Sequence, residues 1–391
     1  MDKRLILFIS SRYLEYGVFF LATIFFAKSI GKVEYGNYAL VFTTISYAPF
    51  FLLGTNQLTL RNITVEKDKN LVIRQSFLLF TTLLFFSLLF CVFSTDRLHL
   101  TVLIVVALKV FNEYLMTIAR GLKQYNLLSF CYLATASVWL YYLVFLDRED
   151  FFYVWPIVLF TPLLLLLINS KKFLIIQGIK AKVELVDMLV WIKKGYKYAI
   201  IGLYLPVCTT LDRWFIDSSD FGAELGLIQF SFNLSNIVSF GLGAFSFYFY
   251  PIYLEKINMD NSLFPTIKKN ILKIQLGLLV ITFLFLFLIQ NIDLSIIGFG
   301  QYNGIFKYLW IYFPIRIFIW AFFPYNVLID VRNKQQFYMN AVIVLLVIEA
   351  IIYASMNYID QYLVVKYHSF VQLSSVLILT LLFHQNYKKW L

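Results

Sequence analysis

Stretches of about twenty apolar residues recur along the whole chain, and they restrict its fold more than any motif does. A helix rises about 1.5 Å per residue, so about 20 apolar residues cross the hydrocarbon core of a bilayer. With this length as the criterion, the sequence predicts twelve membrane-spanning helices. They are 5–27, 35–58, 73–94, 98–119, 126–146, 151–170, 198–219, 224–248, 271–290, 305–328, 337–356 and 361–384.

The composition indicates the same class of protein, an all-α integral membrane protein. Charged residues make up 14% of the 391 residues and hydrophobic residues 61%, whereas soluble domains carry about 25% charged residues. The first apolar stretch lacks a small-residue cleavage pattern, so we expect it to remain as a membrane span. The three cysteines lie in apolar stretches without CxxC spacing, which indicates packed thiols. They are Cys91, Cys131 and Cys208.

The distribution of basic residues predicts the orientation. If the N-terminus is cytoplasmic, most of the 33 lysine and arginine residues fall in segments on that side. The positive-inside rule therefore predicts a multi-pass protein with both termini in the cytoplasm. The formal charge of +11 therefore mostly reflects this topology, with anionic lipid headgroups as the neighbours of the basic residues. It does not indicate a nucleic-acid partner.

A polar stretch at 171–197 divides the chain and is predicted to form an amphipathic connector on the cytoplasmic side. It separates spans one to six, in 1–170, from spans seven to twelve, in 198–391. An even number of spans gives both halves the same orientation, as in repeats related by an axis along the membrane normal. Short matches support a duplication: Glu-Tyr-Gly at 34–36 opens the second span, and Glu-Leu-Gly at 224–226 opens the eighth.

Nine ionisable residues lie well inside the predicted spans, where a charge costs roughly 2.5–3.5 kcal/mol on insertion scales. They are Arg12, Glu15, Lys109, Glu113, Asp212, Arg213, Arg316, Glu349 and Lys366. Arg12 and Glu15 are three residues apart and share a helix face. Lys109 and Glu113 are four apart, and we assign them the role of a structural charge pair. For Arg12 and Glu15, both a structural and a functional role stay open.

Asp212 and Arg213 are adjacent in the predicted seventh span, after Pro206. Residues next to each other on an α-helix point about 100° apart, so we expect them to contact different neighbours. A pair that joins helices and a pair that lines a cavity are both compatible with this pattern. Proline kinks a helix, and membranes tolerate this where a cavity or a neighbour satisfies the freed carbonyl.

One further acid and two further bases complete the set. Pro314 and Pro324 flank Arg316, which has no acid within four residues. Glu349 is near enough to pair with Lys366 of the next span, and this pairing would leave Arg316 alone. Guanidinium groups match phosphate oxygens in pairs. The guanidinium groups of Arg12, Arg213 and Arg316 would therefore suit a phosphate or pyrophosphate if they face one cavity.

The sequence gives no sign of catalytic or metal-dependent chemistry. Its three histidines are scattered, and it contains no glycine-rich phosphate loop, no nucleophile elbow and no CxxC pair. The largest predicted outward-facing connection, around 290–304, is short and leaves no room for a folded catalytic domain outside the membrane. We therefore predict a protein that is not an enzyme, with no metal and no cofactor.

Four short segments resemble a known family of transporters. They read Gly-Lys-Val-Glu-Tyr-Gly-Asn-Tyr-Ala-Leu at 31–40, Ala-Arg-Gly-Leu at 119–122, Leu-Asp-Arg-Trp-Phe-Ile at 211–216 and Gly-Phe-Gly-Gln-Tyr at 298–302. In this order and within twelve spans, they resemble polysaccharide flippases of the O-antigen (Wzx-type) kind. The superfamily of these flippases also holds the multidrug and toxic-compound extruders and the lipid II flippase.

The resemblance implies two six-helix lobes that form a V around an alternating-access cavity, with a pseudo-two-fold axis along the membrane normal. It implies a flippase of the bacterial inner membrane that moves a polyprenyl-diphosphate-linked oligosaccharide, used for lipopolysaccharide, to the periplasmic leaflet. Its partners would be membrane lipids and other polysaccharide assembly proteins. Arg12 and Arg213 stand at places similar to those of basic cavity residues in the family.

The predicted mechanism assigns a role to each group of charges. The residues predicted to hold the diphosphate are Arg12, Arg213 and Arg316. The residues predicted to take up a proton or a sodium ion are Asp212, Glu15 and Glu349. Two alternatives stay open: an extruder of cationic drugs on the same fold, and a membrane polysaccharide polymerase or glycosyltransferase.

Overall fold

A computed structural model describes residues 3–52, 54–65, 97–169, 185–216 and 218–391. Every regular element in these ranges is a helix. The α-helices of the first part of the chain are α1 (Lys3–Ile30), α2 (Lys32–Asn37), α3 (Ala39–Ser46), α4 (Thr55–Val65), α5 (Arg97–Gly121), α6 (Tyr125–Phe145) and α7 (Phe151–Ile168). Those of the second part are α8 (Leu185–Cys208), α9 (Ser218–Met259), α10 (Leu263–Ile289), α11 (Phe306–Trp320), α12 (Phe322–Val331), α13 (Gln335–Ile359) and α14 (Gln361–Asn386).

Short 3-10 helices connect several of these elements. They are Ala48–Leu52, Arg148–Asp150, Leu211–Trp214, Leu294–Ile297, Gly300–Tyr302 and Tyr387–Lys389. Within the described ranges, nine helical stretches are long and apolar enough to cross a membrane. The chain is therefore a multi-pass membrane protein, and the predicted all-α integral membrane class is confirmed.

The predicted second span, 35–58, is not one continuous helix. It consists of α2, α3, the 3-10 helix Ala48–Leu52 and the start of α4. Gly54 has a positive φ of 71°, which favours glycine because it lacks a side chain. A Cβ atom at Gly54 would lie 2.2 Å from the carbonyl oxygen of Gly195, so the chain turns where two backbones approach closely. The predicted third span, 73–94, lies outside the described residues.

The predicted seventh span, 198–219, has different ends in the structure. The described part of α8 starts at Leu185, inside the predicted connector, and ends at Cys208. Residues 171–184 lie outside the described ranges. Asp212 and Arg213 follow on a single 3-10 turn, so the prediction that they continue an α-helix is wrong.

The end of α8 has a local physical cause. The last carbonyls of any helix need other donors, and the backbone N–H of Thr210 donates to the carbonyl of Val207, at 3.0 Å, instead of to that of Pro206. The hydroxyl of Thr210 donates to the carbonyl of Pro206 at 2.6 Å, and that of Thr209 donates to the carbonyl of Leu205 at 2.7 Å. The two threonines thus end the helix within the apolar stretch.

The chain divides into two compact units, and each is discontinuous in sequence. The first contains Met1–Ala22, Thr44–Leu203 and Phe247–Glu255. The second contains Thr23–Thr43, Tyr204–Ser246 and Lys256–Leu391. Both units receive residues from α1, α3, α8 and α9 because the unit boundaries cross these helices. The division into consecutive halves around 171–197 stays a prediction.

Glycines allow very close packing of α2 and α9 in the second unit. A Cβ atom at Gly36 would lie 2.2 Å from the carbonyl oxygen of Gly222, and one at Gly226 would lie 1.8 Å from that of Lys32. Small residues let membrane helices approach in this way. Gly36 and Gly226 are the glycines of the two matched triplets in the sequence, so both triplets lie at one helix contact.

Candidate functional site

Two of the predicted substrate-binding arginines contact one aromatic ring in the second unit. Arg213 lies on the 3-10 turn after α8, Arg316 on α11 and Phe232 on α9. The guanidinium Cζ atoms are 4.4 Å (Arg213) and 4.0 Å (Arg316) from the ring centroid of Phe232, which is within cation–π distance. Only 1% of the surface of Arg213 and 9% of that of Arg316 is exposed. We call Arg213, Arg316 and Phe232 the arginine platform.

Only some of the N–H donors of the two platform arginines have hydrogen-bond acceptors among the described residues. Arg213 Nη1 donates to Thr43 Oγ1 at 3.4 Å, and Arg316 Nε donates to Ser235 Oγ at 3.3 Å. The Nε and Nη2 groups of Arg213 and the Nη2 group of Arg316 are buried without a hydrogen-bond partner among the described residues. Buried donors without acceptors are unfavourable, more so when they are charged. A ligand with several anionic oxygens would satisfy them.

Asp212 is buried beside the platform and contacts a different helix. Its Oδ1 atom accepts a hydrogen bond from Gln372 Nε2 of α14 at 3.1 Å. Asp212 Oδ2 and Gln372 Oε1 have no hydrogen-bond partner in the described chain. The 3-10 turn therefore directs the acid to α14, while the next residue, Arg213, contacts α9.

A tyrosine and a histidine support the ring of the platform. Tyr312 contacts Phe232 edge to face, with ring centroids 5.8 Å apart. Its hydroxyl lies 2.8 Å from His368 Nε2, and His368 Nδ1 lies 2.9 Å from the carbonyl oxygen of Val365. Because a carbonyl only accepts, the Nδ1 atom carries a hydrogen. The contacts at Nδ1 and Nε2 hold the ring of His368 on both sides.

The third predicted arginine, Arg12, belongs to the first unit and forms an ion pair. Its Nη1 atom lies 2.6 Å from Glu15 Oε2. Its Cζ atom lies 4.1 Å from the ring centroid of Tyr132 and 4.2 Å from that of Tyr16. Arg12 Nε is buried without a partner among the described residues. Its role in binding substrate stays a prediction.

The remaining predicted charged residues are not members of the platform. Glu349 is buried in α13, whereas Lys366 is exposed and lies over the ring of Tyr367, so the suggested pairing of Glu349 with Lys366 is not observed. Lys109 Nζ donates to the carbonyl of Ile45 at 3.1 Å. Its pairing with Glu113 stays a prediction. Within the described ranges, no group of three His, Cys, Asp or Glu residues is placed to hold a metal ion.

Sequence reasoning found the charged residues of the site and missed their uncharged neighbours. Phe232, Tyr312 and Gln372 stand in apolar stretches, and no charge or spacing marks them. His368 was visible as a histidine in a span, but nothing in the sequence connects it to Tyr312.

Comparisons with known proteins identify the fold. No family model and no curated protein matches the chain. Solved structures do match: a mutant MATE transporter has a TM-score of 0.69 and 11% identity, covering 99% of this chain and 96% of its own. The chain has the fold of the MATE transporters.

Two further solved structures match over the same length. A mutant of the Vibrio cholerae MATE transporter VcmN has a TM-score of 0.65 and 12% identity, covering 99% of this chain and 96% of its own. A MOP superfamily transporter from Pyrococcus furiosus has a TM-score of 0.64 and 12% identity, with the same two coverages. At this identity the likeness shows the MATE fold alone. The narrower resemblance to polysaccharide flippases is not confirmed by these neighbours.

Proposed function

We propose that this protein moves a polyprenyl-diphosphate-linked oligosaccharide, such as an O-antigen repeat unit, from the cytoplasmic to the periplasmic leaflet by alternating access. The observation that supports the proposal is the arginine platform, whose buried N–H donors lack acceptors within the described residues. A diphosphate offers several anionic oxygens, and guanidinium groups bind such oxygens in pairs. The polyprenyl tail would stay in the lipid.

The local charge of the platform also favours an anion. Arg213 and Arg316 carry two positive charges, and Asp212 supplies one negative charge whose Oδ1 atom is bound to Gln372. The cluster of these three charged residues therefore keeps an excess of one positive charge away from water. Such buried charge is unfavourable without a counter-ion, and a bound diphosphate would provide one.

Coupling to an ion gradient is proposed for three acids. Glu15 Oε2 lies 2.6 Å from Arg12 Nη1. Protonation of Glu15 would weaken this ion pair and make an N–H donor of Arg12 available to phosphate. Asp212 and Glu349 are the other candidates, because each has a buried carboxyl oxygen without a hydrogen-bond partner in the described residues. A proton or a sodium ion is the proposed coupling ion.

The test uses purified protein in liposomes that contain a fluorescent polyprenyl-diphosphate lipid, with a membrane-impermeant quencher to follow its movement. We expect Arg213→Ala to lower the rate roughly tenfold or more, since hydrogen bonds to charged groups contribute about 1.5–3 kcal/mol. Arg213→Lys should recover part of the rate, because lysine keeps the charge and loses the planar fork.

The control is Arg148→Ala, which removes an exposed arginine from the segment between α6 and α7. It should move the lipid at the wild-type rate. A folded Arg213→Ala protein with an unchanged rate would show that the platform does not hold the substrate.

A second function, extrusion of a cationic drug, is supported by the unpaired acids. Asp212 Oδ2 and both oxygens of Glu349 have no hydrogen-bond partner in the described chain. One matching structure is described as a multidrug resistance MATE family transporter of the MOP superfamily, with a TM-score of 0.64. In the same liposomes, gradient-driven movement of ethidium without movement of the diphosphate lipid would favour this function.

A further inference from the structure

A large pocket in the first unit is lined by residues of α1, α6 and α7. Its volume is about 730 Å³, well within the ~300–1,000 Å³ usual for small-molecule sites. The charged residues of its lining are Arg4 of α1 and Lys123, which stands in the turn before α6. All of the lining residues belong to the first unit, so the pocket shares no residue with the arginine platform.

Aromatic contacts fix the charged end of this pocket. The ring of Tyr125, the first residue of α6, lies between two other rings. Its centroid is 5.4 Å from that of Phe8 on α1 and 4.3 Å from that of Tyr248 on α9. Its hydroxyl donates to the carbonyl of Tyr248 at 3.2 Å. Because Arg4 and Phe8 are four residues apart on α1, they share a helix face. The contact of Phe8 with Tyr125 therefore holds Arg4 near the start of α6.

The charged end of the pocket suits an anion. Lys123 Nζ pairs with Glu255 Oε2 at 2.6 Å, so the side chains of Arg4, Lys123 and Glu255 together keep one excess positive charge. The side chain of Gln124 does not cap the first turn of α6. The N–H groups at the start of a helix carry a partial positive charge, and they add to the attraction of Arg4 for a negative group. A ligand with one negative charge would balance this end.

The rest of the pocket follows one face of α6. Phe130, Ala134 and Ser137 are spaced by four and three residues and therefore share this face. The small side chains of Ala134 and Ser137 leave room for a chain beside the helix, and Leu165 of α7 contributes an apolar wall. Both α6 and α7 are long and apolar enough to cross a membrane, and 62% of the surface of Phe130 is exposed. Basic pockets between membrane-spanning helices are suited to lipid headgroups.

We propose that this pocket binds an anionic phospholipid, with its phosphate at Arg4 and the start of α6 and one acyl chain along Ala134 and Ser137. A guanidinium group donates two parallel hydrogen bonds to phosphate oxygens. Phosphatidylglycerol carries one negative charge and matches the excess charge of the site. The choline group of phosphatidylcholine would instead place another cation beside Arg4 and Lys123. This site goes beyond the proposed function, because its ligand is neither the transported substrate nor the coupling ion.

The test counts the lipids bound to the purified full-length protein by native mass spectrometry. The protein is titrated with phosphatidylglycerol or with phosphatidylcholine of the same acyl chains, and the tightest site gives an apparent Kd. We expect phosphatidylglycerol to bind more tightly than phosphatidylcholine. Arg4→Ala should weaken phosphatidylglycerol binding roughly tenfold, which corresponds to about 1.4 kcal/mol. The matched control is Lys194→Ala, which removes an exposed charge of the same unit outside the pocket and should bind like the wild type.

Two further measurements test the acyl chain and the source of the phosphate. Ser137→Trp fills the apolar part of the pocket at an exposed position but keeps Arg4, so it should also weaken phosphatidylglycerol binding. Glycerol 3-phosphate offers a phosphate without acyl chains, and it should not displace the lipid even in large excess. Displacement would show a site for soluble phosphates and overturn the lipid proposal. Equal affinity for the two lipids, or equal losses in Arg4→Ala and Lys194→Ala, would also overturn it.

The lipid pocket and the arginine platform can fail independently. Folded Arg4→Ala protein should keep the affinity for pyrophosphate, whereas folded Arg213→Ala protein should keep the affinity for phosphatidylglycerol. Loss of both ligands in either variant would refute a separate lipid pocket.

Discussion

The guanidinium groups of Arg213 and Arg316 share the ring of Phe232, with their Cζ atoms 4.4 and 4.0 Å from its centroid. Two like charges on one ring repel each other, and burial strengthens the repulsion because the local dielectric is low. The negative face of an aromatic ring attracts a cation by about 0.5–2 kcal/mol. We infer that Phe232 offsets part of this repulsion and keeps both arginines available to one ligand.

Replacing Phe232 tests this role. Phe232→Leu keeps an apolar side chain but removes the ring, so we expect a loss of about 1–3 kcal/mol in the free energy of unfolding. We also expect a weaker affinity for pyrophosphate. Thermal unfolding of the purified protein with and without pyrophosphate measures both effects. The control is Phe283→Leu, whose exposed ring stacks on Trp310; a similar loss of pyrophosphate affinity there would refute the special role of Phe232.

The sequence indicated Arg213 and Arg316 as site residues but did not show that they contact the same ring. A charge in an apolar stretch is visible in any sequence, so Arg213 and Arg316 were predicted as site residues. Phe232 is one of 42 phenylalanines, and nothing in its neighbourhood distinguishes it. The contact also joins residues 213, 232 and 316 through the tertiary fold, which apolar stretches and charge spacing do not determine.

Apolar composition was enough to predict where some helices lie, whereas local hydrogen bonds determine where α8 ends. The length and apolar character of α13 and α14 were enough to predict these helices near 337–356 and 361–384. For α8, the residues on both sides of Pro206 are apolar, so a length criterion continued the span to 219. The two threonines after Pro206 were the available signal, since their hydroxyls can replace the missing N–H donors.

Thr210 is therefore expected to matter for both stability and transport. In Thr210→Val the carbonyl of Pro206 loses its nearer hydroxyl donor, at 2.6 Å, and keeps that of Thr209 at 3.4 Å. This loss should cost about 1–3 kcal/mol in unfolding free energy. Because the 3-10 turn with Asp212 and Arg213 follows directly, lipid movement in liposomes should also slow. Thr161→Val is the matched control: Thr161 donates to the carbonyl of Ile157 at 2.9 Å within α7, where a backbone N–H already serves that carbonyl. Equal losses in the two variants would contradict this account.

Asp293 fixes the connection between α10 and α11 and makes its stability depend on pH. Its Oδ1 atom accepts hydrogen bonds from Ser295 N and Asn303 Nδ2, both at 2.9 Å. The backbone hydrogen bond from Ser295, followed by the bond from Asn303, lowers the pKa of Asp293 below its ordinary value. A lowered pKa means that the folded state favours the carboxylate.

The stabilisation by Asp293 is thus complete above the ordinary pKa of aspartate, about 3.9, and is lost as pH falls through the lower pKa of the folded state. We expect faster amide hydrogen exchange at Ser295 in acid, after correction for intrinsic rates. Asp293→Asn should remove this pH dependence. Protection at Ser295 that stays constant down to pH values below the folded-state pKa would contradict the prediction.

Gly226 gives the sharpest test of the packing between α2 and α9. In Gly226→Ala the new Cβ atom would lie 1.8 Å from the carbonyl oxygen of Lys32, so the two helices must separate. Overpacking of this kind costs typically about 1–3 kcal/mol, and a backbone contact leaves less room to relax than a side chain does. We expect a clearly lower thermal unfolding temperature in detergent. At Gly243, also in α9, a new Cβ would have no described atom within 4 Å apart from its own helix backbone and chain neighbours. Gly243→Ala should therefore be neutral or stabilising by up to about 1 kcal/mol, because alanine favours a helix. A stable Gly226→Ala protein would show that α2 and α9 do not pack this closely.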